Sequence, residues 1–577
     1  MLPRRGWVGW IEEHSKALGA LSVWAFVTLG GIGALVASTS GNHGAQVAIP
    51  GGTSSSSAPA PVNSGGAPAG PKGSGGKTGP NKTSTGPSSS STGTGPSGSG
   101  GTQPTTPQGG AVPQPGGGKC TPTQPKAANG SNETGITTGS VTIGEILSDV
   151  SQLPQQFHPT YEGLSAWADL VNHSGGICGR KIAITERNDQ ALPNNYTSDY
   201  QSMSSSVFAF VANQSLQDGA EYQSNPPYRP NNKDPNTGEY VPDIGGLALQ
   251  YPRAQSPMHW GVFGSLSPTL VGGGAYHQMT STSPGTKCKK GGVVYLDEPT
   301  GASKDQATIG GAALKASWGG GLAYNFYHQP LEAQEAQWST TVQQMISDGV
   351  NCVFTYADAG SNVNLLSAMA QNQVWPPNQC SATRKTAGQC FQLVYMPFTS
   401  VDANFVRNAG SAGSQVTSYI PHLPLNETSK PAVKAYMDAL AQCKKDGFAG
   451  CGSGTDQPST FSVIGFDSGV MFGQALAACG AAPTRGCVES YLNKLQGFTA
   501  NGLQAPISPA ACIKVKSGSG PAGSYNGSPW CFKEIFNHWV MIRELGSPSQ
   551  GIDAFRRIYP NSAFAQDALH IVRGSPG

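Results

Sequence analysis

This chain is expected to be an α/β protein built from two doubly wound parallel-sheet lobes, and three observations lead there. A β-α-β unit opens the globular part at residues 141–185. A second series of alternating strands and helices starts at Gly291. Ahead of both lies a stretch of Gly, Ser, Thr and Pro, preceded by an apolar N-terminal segment.

In the opening unit, Val141 to Leu147 reads as a strand. Tyr161 to Asn172 reads as an amphipathic helix, with Leu164, Trp167, Ala168 and Val171 close to the 3.6-residue period. Gly175 and Gly176 supply a left-handed stop. Lys181 to Thr185 is the next strand, whose polar tip reaches Asp189. Strand, helix and strand at this spacing form one unit of a parallel sheet. Val207 to Ala212 is a continuous apolar run, as in a strand buried on both faces, and it ends at Asn213-Gln-Ser215. Tyr240 to Gly246 is a shorter strand ending in two glycines. Residues 223–238, rich in Pro and Asn, predict a surface insertion, and a helix is expected around Thr269 to Met279.

The second series reads as strands at Gly292–Asp297, Gly321–Tyr327, Cys352–Tyr356 and Phe391–Met396. Helices are expected between and after them at Ala302–Ser317, Ala333–Asp348 and Val363–Gln371. Alternation of this kind indicates a second doubly wound sheet. The tail adds helices at Pro431–Lys445 and Phe461–Cys479, then an alternating strand from Lys533 to Met541.

The order of these elements, with the wording Asn172-x-x-Gly-Gly-Ile-x-Gly-Arg-Lys-Ile182, closely resembles the first unit of the branched-chain amino-acid-binding proteins. These are type I periplasmic solute receptors that deliver ligands to ABC importers. The resemblance covers roughly residues 137–545 and contains no active-site motif. It implies a solute-binding domain over 119–577, with a ligand cleft between two lobes joined by three crossovers. Lobe one would span about 137–285 and 417–510, lobe two about 286–416 and 511–545, with a C-terminal extension at 546–577. The function implied is capture of a small molecule (an amino acid or a related amide or organic acid) for an ABC permease. A membrane-anchored sensory domain without transport is the alternative, and genes for a permease and ATPase beside this one would favour transport.

Arg4 and Arg5 precede an uncharged apolar stretch from Ala17 to Ala37. As a helix it would rise roughly 30 Å, enough to cross a hydrocarbon core. The preceding positive charge predicts a cytoplasmic segment at 1–16 and an exported remainder. A cleaved secretory signal is the competing reading, because Leu35-Val-Ala37 offers small residues for cleavage. Residues 38–118 read as a tether. From 50 to 118 they are almost wholly Gly, Ser, Thr, Pro, Ala and Gln, with no apolar period to build a core.

The formal net charge is +2, which argues against a nucleic-acid partner. No G-x-S-x-G, H-E-x-x-H, Walker loop or strand-linked G-x-G-x-x-G occurs, so no enzyme activity is expected. Without C-x-x-C or zinc-like Cys/His spacing, neither a metal nor a cofactor is expected.

The polar tips of the parallel strands are the candidate site, because open α/β sheets bind ligands beyond their carboxyl ends. In lobe one these are Asn213, Gln214 and Ser215, and the loop of Gly246, Leu247, Ala248 and Leu249. Asn213 and Ser215 are equally placed to cap the next helix. In lobe two the tips carry Asp297, Tyr356, Asp358, Phe398 and Thr399. The resemblance implies that the lobe-one loops hold a ligand carboxylate and that an aromatic and an acidic residue of lobe two cap the ligand and its ammonium. Thr399 stands where the acidic residue is usual, which counts against an ordinary branched-chain amino acid. Asp297 or Asp358 would have to substitute. Phe157, after the first strand, is a candidate aromatic lining residue.

All twelve cysteines lie at or after Cys120, in the exported part, and read as disulfides. Cys288 and Cys352 sit at the start of strands that neighbour each other in a 2-1-3 order and form the first pair. Cys380–Cys390, Cys443–Cys451, Cys479–Cys487 and Cys512–Cys531 would close short loops, which leaves Cys120 with Cys178.

Deleting residues 50–118 should leave ligand affinity unchanged, and the isolated segment should show narrow amide-proton dispersion by NMR. Wide dispersion, or loss of binding on deletion, would refute the tether reading.

Overall fold

The computed structural model describes residues 120–577 except 151–155, 225–226, 264–269, 273–287, 299–300, 319–320, 332, 453–457, 511–537, 548, 551–553, 558–564, 567–570 and 574–577. The expected anchor and tether, and the pair Cys512–Cys531, lie outside the described residues.

The first sheet holds β1 (Ser140–Leu147), β2 (Lys181–Asn188), β3 (Ala209–Val211), β4 (Asp243–Ile244) and β5 (His259–Trp260), parallel, in the order β2-β1-β3-β4-β5. Helix α1 (His158–His173) connects β1 to β2, and α2 (Pro193–Ser204) connects β2 to β3. β1 and β2 pair along their whole length, from Ser140 with Lys181 to Leu147 with Asn188. β3 is shorter than the apolar run that predicted it. The carbonyls of Val207 and Phe208 accept instead from the buried Arg485 guanidinium, at 2.6 and 2.9 Å. That guanidinium also donates to Asp234 at 2.7 Å, so the insertion at 223–238 is not wholly superficial: Asp234 and Thr237 are buried.

After β6 (Leu270–Gly272), the second sheet is built from β7 (Lys290–Asp297), β8 (Ala323–Pro330), β9 (Cys352–Tyr356), β10 (Leu393–Tyr395) and β11 (Thr417–Ile420). The strand at β6 replaces the start of the helix expected over 269–279. Helices α3 (Ala302–Ser317), α4 (Glu335–Ser347) and α5 (Ala359–Gln371) alternate with the strands, and α6 (Ala403–Ala409) precedes β11. The order runs β11-β10-β9-β7-β8, parallel throughout, so β7 and β9 are neighbours. Because β11 belongs to this sheet, the chain leaves the second lobe after Ile420, a few residues later than the expected boundary at 417.

The chain then returns to the first lobe with α7 (Pro431–Asp446), α8 (Thr460–Ala478) and α9 (Arg485–Leu492). It re-enters the second sheet at β12 (His538–Glu544), antiparallel to β11. Three passages between the lobes result. In the C-terminal extension, β13 (Phe555–Arg557) and β14 (Ala565–Gln566) pair with β12, and β15 (Ile571–Arg573) pairs with β6.

Five disulfides join the pairs read from the sequence: Cys120–Cys178, Cys288–Cys352, Cys380–Cys390, Cys443–Cys451 and Cys479–Cys487. Arg180 reinforces the first of them. It donates to Thr123 O at 2.7 Å, Ala481 O at 2.6 Å and Thr137 O at 2.8 Å, tying the entry of the domain to the loop after α8.

Helix α8 is long and apolar enough to pass for a membrane span, yet it is packed inside the first lobe, buried almost all round. Its contact with α1 is a backbone-to-backbone crossing that only glycine permits. A Cβ on Gly163 would sit 1.8 Å from Ser462 O, and one on Gly465 would sit 1.9 Å from Thr160 O. Gly163→Ala should therefore destabilise the domain by about 1–3 kcal/mol, despite alanine's better helix propensity, because the helices must separate. Calorimetric unfolding checks this; an unchanged or raised transition would show that the crossing has slack.

Candidate functional site

Three strand tips of the first lobe meet at one carboxylate. Asp189, after β2, accepts from Ser148 Oγ at 2.7 Å and from Ser215 Oγ, and these serines follow β1 and β3. Burial pushes the Asp189 carboxyl up, and the two hydroxyls oppose that shift. Ser215 Oγ also accepts the N–H of Gln217 at 2.8 Å and lies 3.1 Å from Ser148 Oγ. The Ser215 hydroxyl is thus engaged within the protein and caps the next turn, one of its two expected roles.

Asn213 and Gln214 are likewise fully buried. Asn213 Oδ1 accepts from Ile146 N at 2.8 Å; a backbone N–H can only donate, so the amide orientation is fixed. Its Nδ2 is buried with no hydrogen-bond partner among the described residues. Gln214 makes a two-way link to Leu247, accepting its N–H at 3.0 Å and donating to its carbonyl at 3.2 Å. Gly246 has φ +67°, and a Cβ there would meet Asn213 O at 2.2 Å, so the two loops touch at backbone level. Gly246 N donates to Ser468 Oγ of α8 at 2.9 Å, and Ala248 is buried.

The end of the second loop carries a feature that the sequence did not announce. Asp218 accepts the N–H groups of Leu249 and Gln250 at 2.6 and 2.9 Å. Arg253, also buried, bonds Asp218 at 3.1 Å and grips Asp243 at 2.7 and 3.0 Å. Burial lifts the Asp218 carboxyl to about 6 against the pull of Arg253. For Asp243 the same penalty is outweighed by Arg253 and His259, which hold it well below the usual range. The three residues are 25 and 10 apart in sequence and form no recognisable motif.

In the second lobe, Asp297 at the tip of β7 is half exposed and pairs with His328. Tyr356 at the tip of β9 packs its ring against α3, where a Cβ on Gly310 would meet its hydroxyl at 1.7 Å. Asp358 caps α5, accepting Ser361 N at 3.0 Å through Oδ1, while Oδ2 is buried with no hydrogen-bond partner among the described residues. Burial raises its pKa. Asn362, one turn on, donates to Ala357 O at 3.0 Å and Ser400 Oγ at 2.9 Å, leaving a buried Oδ1 without a partner among the described residues. Phe398 is buried in the 3₁₀ turn Phe398–Ser400, which also contains Thr399, whose side chain lies outside the description.

Residues of both lobes meet at the amino end of α8. Phe157, at the start of α1, stacks edge-on against Phe461 with ring centroids 5.3 Å apart. Asp402 of the second lobe forms an antiparallel bridge with Ser459, the cap of α8. His422, on the second passage between lobes, spans the seam. Its Nδ1 lies 2.8 Å from Leu423 O and its Nε2 3.0 Å from Thr460 Oγ1. A carbonyl only accepts, so Nδ1 carries the proton and Nε2 accepts from the threonine hydroxyl, an arrangement for neutral imidazole. Phe263 lies over the same ring, with centroids 6.2 Å apart.

Two parallel-sheet lobes joined by three passages accord with the family model that matches residues 140–512, Periplasmic binding protein. The chain belongs to that family. Among similar solved structures, a fatty acid ABC transporter substrate-binding protein from Thermomonospora curvata has 13% identity and a TM-score of 0.53, covering 77% of this chain and 97% of its own. An extracellular ligand-binding receptor from Verminephrobacter eiseniae has 16% identity and a TM-score of 0.50, with 73% and 100% covered. An ABC transporter substrate-binding protein from Aeropyrum pernix has 12% and 0.51, with 74% and 96% covered. At these identities the likeness is one of fold. No curated protein matches. A general solute-binding role follows from membership of the periplasmic binding family.

Burial depresses the His422 pKa from 6.5 to about 4. The unfolded chain therefore takes up this proton first on acidification, and the group's contribution is complete above pH 6.5 and lost as pH falls towards 4, by roughly 3 kcal/mol. Asp402, raised to about 6 by burial, acts in the opposite sense over roughly pH 6 to 4. The comparison with His422→Gln separates the two: the variant's stability should decline less than the parent's between pH 7 and 4, measured by denaturant titration. Parallel pH profiles would contradict a buried neutral His422.

Proposed function

We propose that this family member captures a small solute at the seam between its lobes, outside the cytoplasm, and passes it to an ABC permease. The meeting of the two lobes at the amino end of α8 carries the reading, since ligands of open α/β sheets bind beyond the carboxyl ends of the strands and each lobe has such a sheet. The apolar stretch Ala17–Ala37 would hold the receptor at the membrane, with residues 38–118 as its tether. A solute touching both lobes only when they are closed would shift the population towards closure, and the closed form would be what the permease engages.

An amino acid or a related amide fits best. At the tips of the first lobe, Asn213 Nδ2 is a buried donor without a partner among the described residues; at those of the second, Asp358 Oδ2 and Asn362 Oδ1 are buried acceptors without one among them. Buried polar groups demand hydrogen bonds. A solute with an acceptor at one end and a donor-rich cation at the other supplies both kinds. Phe157, Gln214, Gly246, Leu247, Ala248, Tyr356, Phe398 and Thr399 would shape the surrounding walls. Asp297, paired with His328 near the rim, and Ser215, engaged by Asp189, would contribute less directly.

A thermal-shift screen of the full chain against amino acids, amides, organic acids and sugars would supply a ligand. Asp358→Asn keeps the helix cap but removes the charge, so calorimetry should show a ten- to hundredfold weaker affinity for cationic solutes, about 1.5–3 kcal/mol, and little change for neutral ones. Unaltered affinity for a cationic ligand would mean that the site lies elsewhere. Ser215→Ala should chiefly lower thermal stability.

A further inference from the structure

Away from the seam, the carboxyl ends of α1 and α7 meet on the outer side of the first lobe. The last residue of α1 is His173 and the last of α7 is Asp446. Asp169 stands one turn before His173 on the same face of α1. One nitrogen of His173 and one carboxylate oxygen from each aspartate lie within 4.8 Å of one another. His173 Nδ1 is 3.2 Å from Asp169 Oδ1, and Nε2 is 3.2 Å from Asp446 Oδ2. Nδ1 also lies 3.1 Å from the Asp169 carbonyl, and Gln442 Nε2 donates to Asp446 Oδ2 at 2.7 Å.

A second observation concerns Asp169 itself. It is only 3% exposed, and its Oδ2 has no hydrogen-bond partner among the described residues. Burial raises its pKa, and the facing Asp446 carboxylate adds to the rise against the pull of His173. Two neighbouring carboxylates, one buried and incompletely bonded, are stabilised by positive charge placed beside them. The site also receives the partial negative charge of two helix carboxyl ends, which favours a cation there. Lys444 and Lys445, in the last turn of α7, offset part of that field. His173 remains more than half exposed, so an ion can reach the group from solvent.

We propose that Asp169, His173 and Asp446 bind a divalent transition-metal ion of the zinc class, joining α1 to α7. An imidazole nitrogen with carboxylate oxygens suits such ions, whereas calcium and magnesium prefer shells made wholly of oxygen. Three protein ligands leave at least one position for water. The Cys443–Cys451 disulfide braces the end of α7 one turn away, so Asp446 is carried on a rigid support.

A protonated His173 clamped between the two carboxylates would satisfy the same distances without any metal, and the experiment separates these cases. Cobalt(II) added to the full-length protein should develop visible d–d absorption that saturates at one equivalent and is abolished by zinc. His173→Ala and Asp446→Asn, both at solvent-accessible positions, should each weaken cobalt binding at least tenfold with an unchanged far-ultraviolet circular dichroism spectrum. Zinc should raise the unfolding temperature of the parent and of neither variant. Absence of cobalt absorption, absorption that persists unchanged in His173→Ala, or equal stabilisation of all three proteins by zinc would overturn the proposal.

Discussion

The first lobe depends on one buried carboxylate. Asp189, at the end of β2, holds the serines that follow β1 and β3, so these three neighbouring strands end together and their loops start from fixed points. Parallel strands have no hairpins to align them, and their tips would otherwise be set only by helices packed several residues away. Arg253 does the same for the next strand along, linking Asp243 on β4 to Asp218 and, through Asp218, to the turn at Leu249 and Gln250. Neither arrangement can lose one member cheaply. A buried ion pair stripped of one partner leaves a charge that water cannot reach, typically a loss of 3–5 kcal/mol.

The aligned tips matter because of what crosses above them. The glycine crossing of α1 and α8 brings the start of α1, and with it Phe157, against the start of α8 at Phe461. The amino end of α8 is also where the second lobe makes contact, through Ser459, Thr460 and His422. The seam is therefore built beside a crossing at which two helix backbones touch. Among the described residues no ion pair crosses at this point, and the His422 bond is made by a neutral ring, so lobe movement need not break a charged contact there.

Much of this architecture was legible in the sequence, because its signals are local. The 3.6-residue pattern of Leu164, Trp167, Ala168 and Val171 marked α1, and Ala302–Ser317 and Cys352–Tyr356 were placed with their observed bounds. The strand order that brings β7 beside β9 made Cys288–Cys352 a natural pair. The misreadings have physical causes. Leu270–Gly272 forms a strand because it pairs with β15, some 300 residues further along the chain, which no local pattern reports. β3 begins only at Ala209 because a guanidinium from α9 takes the carbonyls of Val207 and Phe208. The site was legible only as loops. That Ser215 answers to Asp189, or that Asp218 fills the turn at Leu249, depends on contacts between residues far apart in sequence.

These commitments divide the labour between the lobes. The hydroxyl of Ser215, the Gln214 amide and the N–H groups of Gly246, Leu247, Leu249 and Gln250 are all bonded within the first lobe. That side of the seam is a preorganised wall, and preorganisation lowers the entropy lost when a ligand is bound. In the second lobe, Asp358 and Asn362 each use one atom to start α5 and leave another buried and unanswered. An unsatisfied buried acceptor raises the free energy of the state that contains it by roughly 1–3 kcal/mol. In the proposed site, a closed form without solute would carry that penalty and opening to water would relieve it, whereas a solute that donates to these atoms would remove it without opening. The same two side chains that shape the helix would then bias the empty protein towards the open form and the loaded protein towards the closed one.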